Sequence, residues 1–385
     1  MTQEARRRSR GSGSIKPRPG GFLAEVRTAE GGTASRTFKS EKQAEAWLAR
    51  AAVRQEDGSF VSPRRGTILV KDWCPTWRAS KVNLRPTTAA RLDGVLREHV
   101  LPRFGRCRIS AIQNSAVRSW VAEMETSGLS ASTIRKAFFA LRDMLQAAVA
   151  DRRIAFNPCD DVPLPAEPDY EPHYLDMAQI ADLADSILDR FRAFVILAAY
   201  GGLRYGELAG LRRKHVDLDR GRVTVVETMV EANGKITFGP PKTKRSRRTV
   251  PFPRRVMKEL REHLARYVDD DPDALVFTGP NGGVLRRAGF RRCFWIPAVQ
   301  AAGVGDLRVH DLRHTFVSLW VAAGRNVKEV SIAAGHSSVA FTLNRYGGLY
   351  ESDEAGIQDA LDALLDAREA RQIADSSRTG TVAYL

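Results

Sequence analysis

At 385 residues and 43% hydrophobic content, the chain is long enough for two or three folding units with ordinary cores. Its 60 Lys and Arg outnumber 45 Asp and Glu, leaving a net charge of +15 and a pI near 10. That surplus points to a polyanionic partner, nucleic acid first. No apolar run reaches bilayer length, and no apolar segment follows the basic N-terminus, so neither a membrane span nor a secretory signal is expected. Cys74, Cys107, Cys159 and Cys293 are scattered without metal-ligand spacing, as in a cytoplasmic protein with reduced thiols.

Residues 1–13 are rich in Arg, Gly and Ser and are predicted to be a disordered basic tail. Residues 14–60 read as a small sheet backed by a helix. Phe22, Ala24 and Val26 alternate on one strand face, Glu30-Gly31-Gly32 supplies a turn, and Ser35–Lys39 returns. Ser40 then caps a helix, with Gln43 completing a capping box. Residues 66–165 are all-helical by pattern. One apolar stripe (Leu92, Val95, Leu96, Val100) is expected to stop at Pro102. A second (Val117, Trp120, Val121, Met124) lies behind a cap at Ser115, and a third (Ile134, Phe138, Leu141, Leu145, Ala148) behind Ser132. Five prolines between Pro158 and Pro172 mark an interdomain linker. Residues 172–365 form the last unit, with helices near 191–200, after Arg204, and near 285–302, 310–323 and 326–334. Arg222–Glu227, Lys235–Phe238 and Arg247–Val250 read as short strands, the first two joined by Ala232-Asn233-Gly234. Residues 366–385 are a tail, and from 351 onward 8 acidic residues face 3 basic ones. The expected fold class is therefore α+β and multidomain: a small β-sheet/helix domain, an all-helical domain, and a mixed, mainly helical domain with a small antiparallel sheet.

Four clusters carry chemistry: Gly-Gly-Leu-Arg204-Tyr-Gly-Glu207-Leu; Pro-Lys242-Thr-Lys244-Arg-Ser-Arg-Arg248 in a strand turn; Val-His310-Asp-Leu-Arg313-His314-Thr; and Gly335-His336-Ser-Ser with Tyr346 ten positions after the histidine. Taken singly, each has an ordinary structural reading: a surface arginine, a solvated basic run, a helix cap, a packed tyrosine. Together they hold what a phosphodiester transesterification demands. Paired guanidinium forks match the non-bridging oxygens of the transition state. A tyrosine phenol, with a pKa of about 10, needs help losing its proton. A lysine on a turn can protonate the leaving 5′-oxygen, and histidines can act as bases or phosphate donors. His310 and His314, spaced i and i+4, imitate a zinc pattern, but Asp311 stands where that pattern needs Glu. Asp269-Asp270-Asp271 is followed by Pro272, which favours a polar loop over a magnesium site. There is no phosphate-binding loop for nucleotide hydrolysis.

In this order the clusters resemble the tyrosine recombinase (phage integrase) family, over about 350 of the 385 residues. The resemblance implies that Arg204 and Arg313 clamp the scissile phosphate, with Glu207 orienting Arg204. It also implies that Lys242 (with Lys244 as competitor) is the acid for the 5′-oxygen, and that His310 is the candidate base. His336 would contact phosphate, and Tyr346 would be the nucleophile forming a 3′-phosphotyrosyl link. Residues 14–60 then look like an arm-type DNA-binding domain, 66–165 like a helical core-binding (SAM-like) domain, and 172–365 like the catalytic domain. The implied partners are double-stranded DNA attachment sites, bound by a homo-tetramer. A DNA-bending host protein and an excision directionality factor are further family expectations. Neither cofactor nor metal nor membrane is implied, and the expected location is the cytoplasm of a bacterial host cell, in association with the nucleoid. Ala334 stands where the family commonly has leucine, and Gly347-Gly348 where a polar residue and histidine are common. A relaxing topoisomerase or hairpin-forming resolvase is disfavoured by the arm-like domain. A DNA-binding regulator on an inactive recombinase fold is the alternative from another class.

Overall fold

The computed structural model describes residues 13–27, 32–56, 60, 65–168, 172–241, 246–350, 362–363 and 366–367. They divide into two compact units, Met1–Tyr170 and Glu171–Leu385, and the boundary falls in the proline-rich stretch.

In the first unit, β1 (Ser14–Arg18), β2 (Gly21–Arg27) and β3 (Thr33–Phe38) form an antiparallel sheet in that order, with Lys16 opposite Leu23 and Ala24 opposite Arg36. The alternation on β2 puts Ala24 and Val26 in a core with Ala34, and α1 (Glu41–Glu56) closes it with Ala44, Leu48 and Ala51. Ser40 Oγ accepts from the Gln43 N–H at 3.4 Å, so the expected cap is there. Strand β1 escaped the periodicity reading; it holds Pro17, which an edge strand tolerates because its outer side needs no donor. Of the expected turn, Glu30 and Gly31 lie outside the described residues.

The helical part comprises α2 (Val70–Ala79), α3 (Pro86–Val95), a π turn (Leu96–Val100), α4 (Leu101–Phe104), α5 (Asn114–Thr126) and α6 (Ala131–Ala150). The three predicted stripes meet here: Val100, Val117, Trp120, Ile134, Leu141 and Leu145 are all buried. Pro102 does not stop its helix. The preceding π turn, with the Leu101 N–H donating to Leu96 O, widens the backbone where a proline ring would strike the carbonyl four residues back, and the chain stays helical to Phe104. Two caps also differ. Ser115 lies inside α5, whose cap is Gln113; Ser132 lies inside α6, where Ser130 caps by accepting from the Thr133 N–H.

In the second unit α7 (Met177–Ser186) begins with a capping box, Asp176 with Gln179. Helix α8 (Arg192–Gly201) is apolar nearly all round and runs through the core, with Phe194, Leu197 and Ala198 fully buried. Gly202 ends it at φ +60, and α9 (Tyr205–Ala209) starts with Arg204 as its cap. Strands β4 (Val216–Asp217) and β5 (Arg222–Val225) lead to β6 (Thr228–Ala232), β7 (Lys235–Gly239) and β8 (Arg248–Pro251). The strand expected over Arg222–Glu227 ends early: β5 stops at Val225 and joins β4 and β8 in one sheet, while β6, which the sequence reading did not show, begins at Thr228 and pairs with β7 in another. The Asn233-Gly234 turn therefore joins β6 to β7, and an ion pair between Glu227 and Arg212 sits at the break. Then come α10 (Arg254–Tyr267), α11 (Arg287–Phe290), α12 (Ile296–Ala301), α13 (Asp311–Ala322), α14 (Val327–Ala334) and α15 (Val339–Tyr346). Among the described residues no helix is long and apolar enough to cross a membrane.

Candidate active site

The site is built on a buried carboxylate. Glu207, in the first turn of α9, accepts from the backbone N–H of Arg204 (2.9 Å) and from its guanidinium (2.7 Å). Arg248 of β8 donates to both Glu207 oxygens, at 3.2 and 3.0 Å, and through Nε to Ala333 O at 2.7 Å. Burial alone would raise the Glu207 carboxyl, but the charges and hydrogen bonds of Arg248 and Arg204 overcome it and hold the pKa at about 2. Arg204 also donates to Gly335 O at 3.0 Å, so α9, β8 and the end of α14 are stitched together. Gly335 favours glycine on two counts: its φ is +65, and a Cβ there would stand 3.1 Å from the Arg248 side chain, close enough to push it aside.

Arg313, on the first turn of α13, is buried. Its Nη1 donates to Gly202 O at 2.7 Å, while the equally buried Nη2 has no hydrogen-bond partner among the described residues. Burial and the cations of Arg204 and Arg248 pull its pKa down from the usual range. A guanidinium does not give up its proton in a protein, so the physical content is an under-compensated cation waiting for an anion. His310 caps α13 and is open to solvent, yet crowding by the protein and the charges of Arg313 and Arg204 lower its pKa to about 4. His336 is buried just after Gly335, its Nδ1 is 2.8 Å from Thr342 Oγ1, and desolvation with the same two arginines lowers its pKa to about 3.

Tyr346 ends α15, is only 2% exposed, and packs among Phe316, Val317, Val330 and Ala333. Its ring stacks on His336, the planes within 8° and the centroids 5.9 Å apart. Its hydroxyl lies 2.7 Å from His314 Nδ1. Desolvation raises the phenol to about 12 against the opposing pull of Arg313.

Five of the six expected residues, Arg204, His310, Arg313, His336 and Tyr346, therefore act on one another in one place. Lys242 and its competitor Lys244 lie outside the described residues. An open cleft of about 370 Å³ is lined by Arg204, Glu207, Ser246, Gly335 and His336. Among the described residues no group of three His, Cys, Asp or Glu side chains is placed to hold a metal ion. Two residues escaped the sequence reading. Arg248 looked like the end of a basic run, and the available signal was strand alternation, which puts it on the same inward face as Val250. His314 looked like half of a false zinc pair, and its tie to Tyr346 spans 32 positions that no local pattern reports.

Comparison with known proteins gives the family and the fold. Residues 173–352 match the phage integrase family, and residues 69–124 match the phage integrase N-terminal SAM-like domain. The integrase of Mycobacterium phage D29 is 30% identical over 319 residues, covering 79% of this chain and 83% of that protein. This chain is a member of the phage integrase family. A prophage phiRv2 integrase of Mycobacterium tuberculosis is 28% identical over 382 residues, covering 96% of this chain and 100% of that one. The family is that of the tyrosine recombinases, and site-specific recombination is its activity. Solved integrases share the fold. The Tn1549 transposon integrase in complex with a circular intermediate DNA superposes with a TM-score of 0.64 at 22% identity, over 72% of this chain and 95% of that one. A lambda integrase dimer bound to a core site gives 0.56 at 13% identity, over 91% and 97%.

Proposed function

We propose that this integrase cuts and rejoins DNA strands through a 3′-phosphotyrosine on Tyr346, integrating and excising a phage or mobile element. The observation that carries the reading is the buried, unpartnered Nη2 of Arg313 beside Arg204 and the two lowered histidines. A buried guanidinium donor left open beside a second, pre-positioned arginine stabilises a dianionic phosphorane far more than water does. Arg204 and Arg313 clamp the scissile phosphate and His336 contacts it. His310 stands at the open side of the clamp, and Lys242, which falls between β7 and β8 in the sequence, protonates the departing 5′-oxygen. Glu207 holds Arg204 in place. Residues 14–60 bind arm-type DNA and residues 66–165 bind the core site. A homo-tetramer on two duplexes is the working assembly, as in the lambda integrase tetramer bound to a Holliday junction, whose fold this chain shares at a TM-score of 0.53.

The test is a nicked duplex carrying the attachment site, incubated with the protein in EDTA. A covalent protein–DNA adduct is expected, and it should vanish in Tyr346→Phe. An adduct that persists in that variant would overturn the assignment. Chelator-sensitive cleavage would point instead to metal-dependent hydrolysis.

A further inference from the structure

We propose that His314, rather than His310, accepts the proton of Tyr346 as the phenol attacks the phosphate. The inference rests on Tyr346 being the nucleophile and adds the identity of its base. His314 Nδ1 touches the reacting oxygen itself, at 2.7 Å. The other two histidines are turned to different tasks. His336 lays its ring face against the tyrosine ring and commits Nδ1 to Thr342. His310 meets His314 edge-on, with ring centroids 5.2 Å apart, from the solvent-open cap of α13.

His314 is buried and its pKa is lowered to about 4, first by desolvation and then by His310, so the ring is neutral at working pH. A neutral ring facing a protonated phenol accepts through Nδ1, which places its own proton on Nε2. With the phenol raised and the imidazole lowered by burial, transfer ahead of attack is strongly uphill. Transfer must instead accompany bond formation, as in general-base catalysis. As the Tyr346 oxygen bonds to phosphorus, its O–H bond breaks and the proton forms an N–H bond at Nδ1. The bond from phosphorus to the 5′-oxygen breaks, and that oxygen takes a proton from the acid assigned to Lys242. On rejoining, the 5′-hydroxyl attacks phosphorus and its proton passes back to the amine of the acid assigned to Lys242, the phosphotyrosyl bond breaks, and the His314 imidazolium returns its proton to the tyrosine oxygen. The same histidine thus serves both directions, which a strand-exchange reaction requires.

The decisive variant is His314→Asn, whose carboxamide oxygen can still accept the phenol hydrogen bond but cannot take the proton. Adduct formation on the nicked duplex should fall about 100-fold, the usual size of a general-base contribution, with DNA binding and melting temperature retained. Replacing Tyr346 by 3,5-difluorotyrosine, a more acidic phenol, should restore much of the lost rate in His314→Asn while changing the parent protein little. A wild-type rate in His314→Asn, or a loss that the fluorinated phenol does not relieve, overturns the proposal. Should His314→Asn melt below the assay temperature, His314→Gln is put through the same pair of measurements. If Tyr346→Phe abolishes the adduct while His314→Asn cleaves normally, only this inference falls; if Tyr346→Phe keeps the adduct, the nucleophile assignment falls with it.

Discussion

Glu207 shows how much of this site is electrostatic architecture. The carboxylate and Arg248 are each about 3% exposed at the side chain, so neither charge is solvated by water. A buried pair of this kind contributes little net stability, but removing one member strands the other. Arg248→Ala should therefore destabilise the second unit by about 3–5 kcal/mol in urea denaturation. Arg248→Lys should lose less stability and yet cleave poorly, because a single ammonium cannot reach both Glu207 oxygens and the Ala333 carbonyl. Unchanged stability in Arg248→Ala would show that the charge network is not the frame of the site. The histidines add a second consequence. Those at 314 and 336 have folded pKa values near 4 and 3, below the ordinary 6.5, so the unfolded chain binds protons first as the pH falls. Their contribution is full above pH 6.5 and is lost on acidification toward pH 4, on the order of 2 kcal/mol each by pH 5. Denaturation midpoints at pH 7.5 and pH 5 check this; equal midpoints would mean that the rings are not held neutral. These residues also mark the limit of what sequence shows. Tyr346, Arg204 and Arg313 stand out because their neighbours in the chain are distinctive, whereas of the partners that hold them Arg248 shows only as an inward strand position and His314 is selected by tertiary contact.

At the scale of elements, helix ends do the positioning, and they were the more legible part. Gly202 and Gly335 punctuate α8 and α14, and each turns the chain at positive φ into a catalytic segment. A side chain at either position pays about 1–2 kcal/mol for the left-handed backbone. Gly202→Ala should cost more than Gly335→Ala, because its Cβ would fall 2.4 Å from the Phe316 ring, a packed wall, against 3.1 Å from the Arg248 side chain. Gly335→Ala should instead fold and lose cleavage, since it displaces the guanidinium that fixes Glu207. Thermal melts of both variants beside adduct assays separate the two outcomes, and the reverse order of stability would contradict the geometry. The misread elements failed for local reasons. Pro102 carries the sequence mark of a helix stop, but the π turn before it removes the clash that makes proline a stop. The run Arg222–Glu227 has the composition of one strand, and only the pairing partners reveal that it stops at Val225, before a second sheet begins at Thr228.

Across the whole molecule, charge and chemistry are divided unequally. Residues 1–170 hold 29 basic and 18 acidic side chains, and residues 171–385 hold 31 and 27, so the first unit carries most of the +15 while every proposed catalytic residue lies in the second. Affinity for the phosphate backbone scales with the number of phosphates neutralised, each adding about 0.9 to the steepness of the salt dependence. The second unit has its own buried core on α8, so a fragment of residues 172–385 should fold alone. It should bind duplex DNA more weakly than the full chain, with a distinctly shallower slope of log affinity against log salt. It should still form the Tyr346 adduct on a nicked duplex at high protein concentration, because Arg204, His310, Arg313, His314 and His336 all come with it. Titrations of both proteins at several salt concentrations measure the slopes. Equal slopes would locate the phosphate contacts in the catalytic unit and contradict the division of labour, whereas a fragment that binds but forms no adduct would mean that the first unit contributes to cleavage itself.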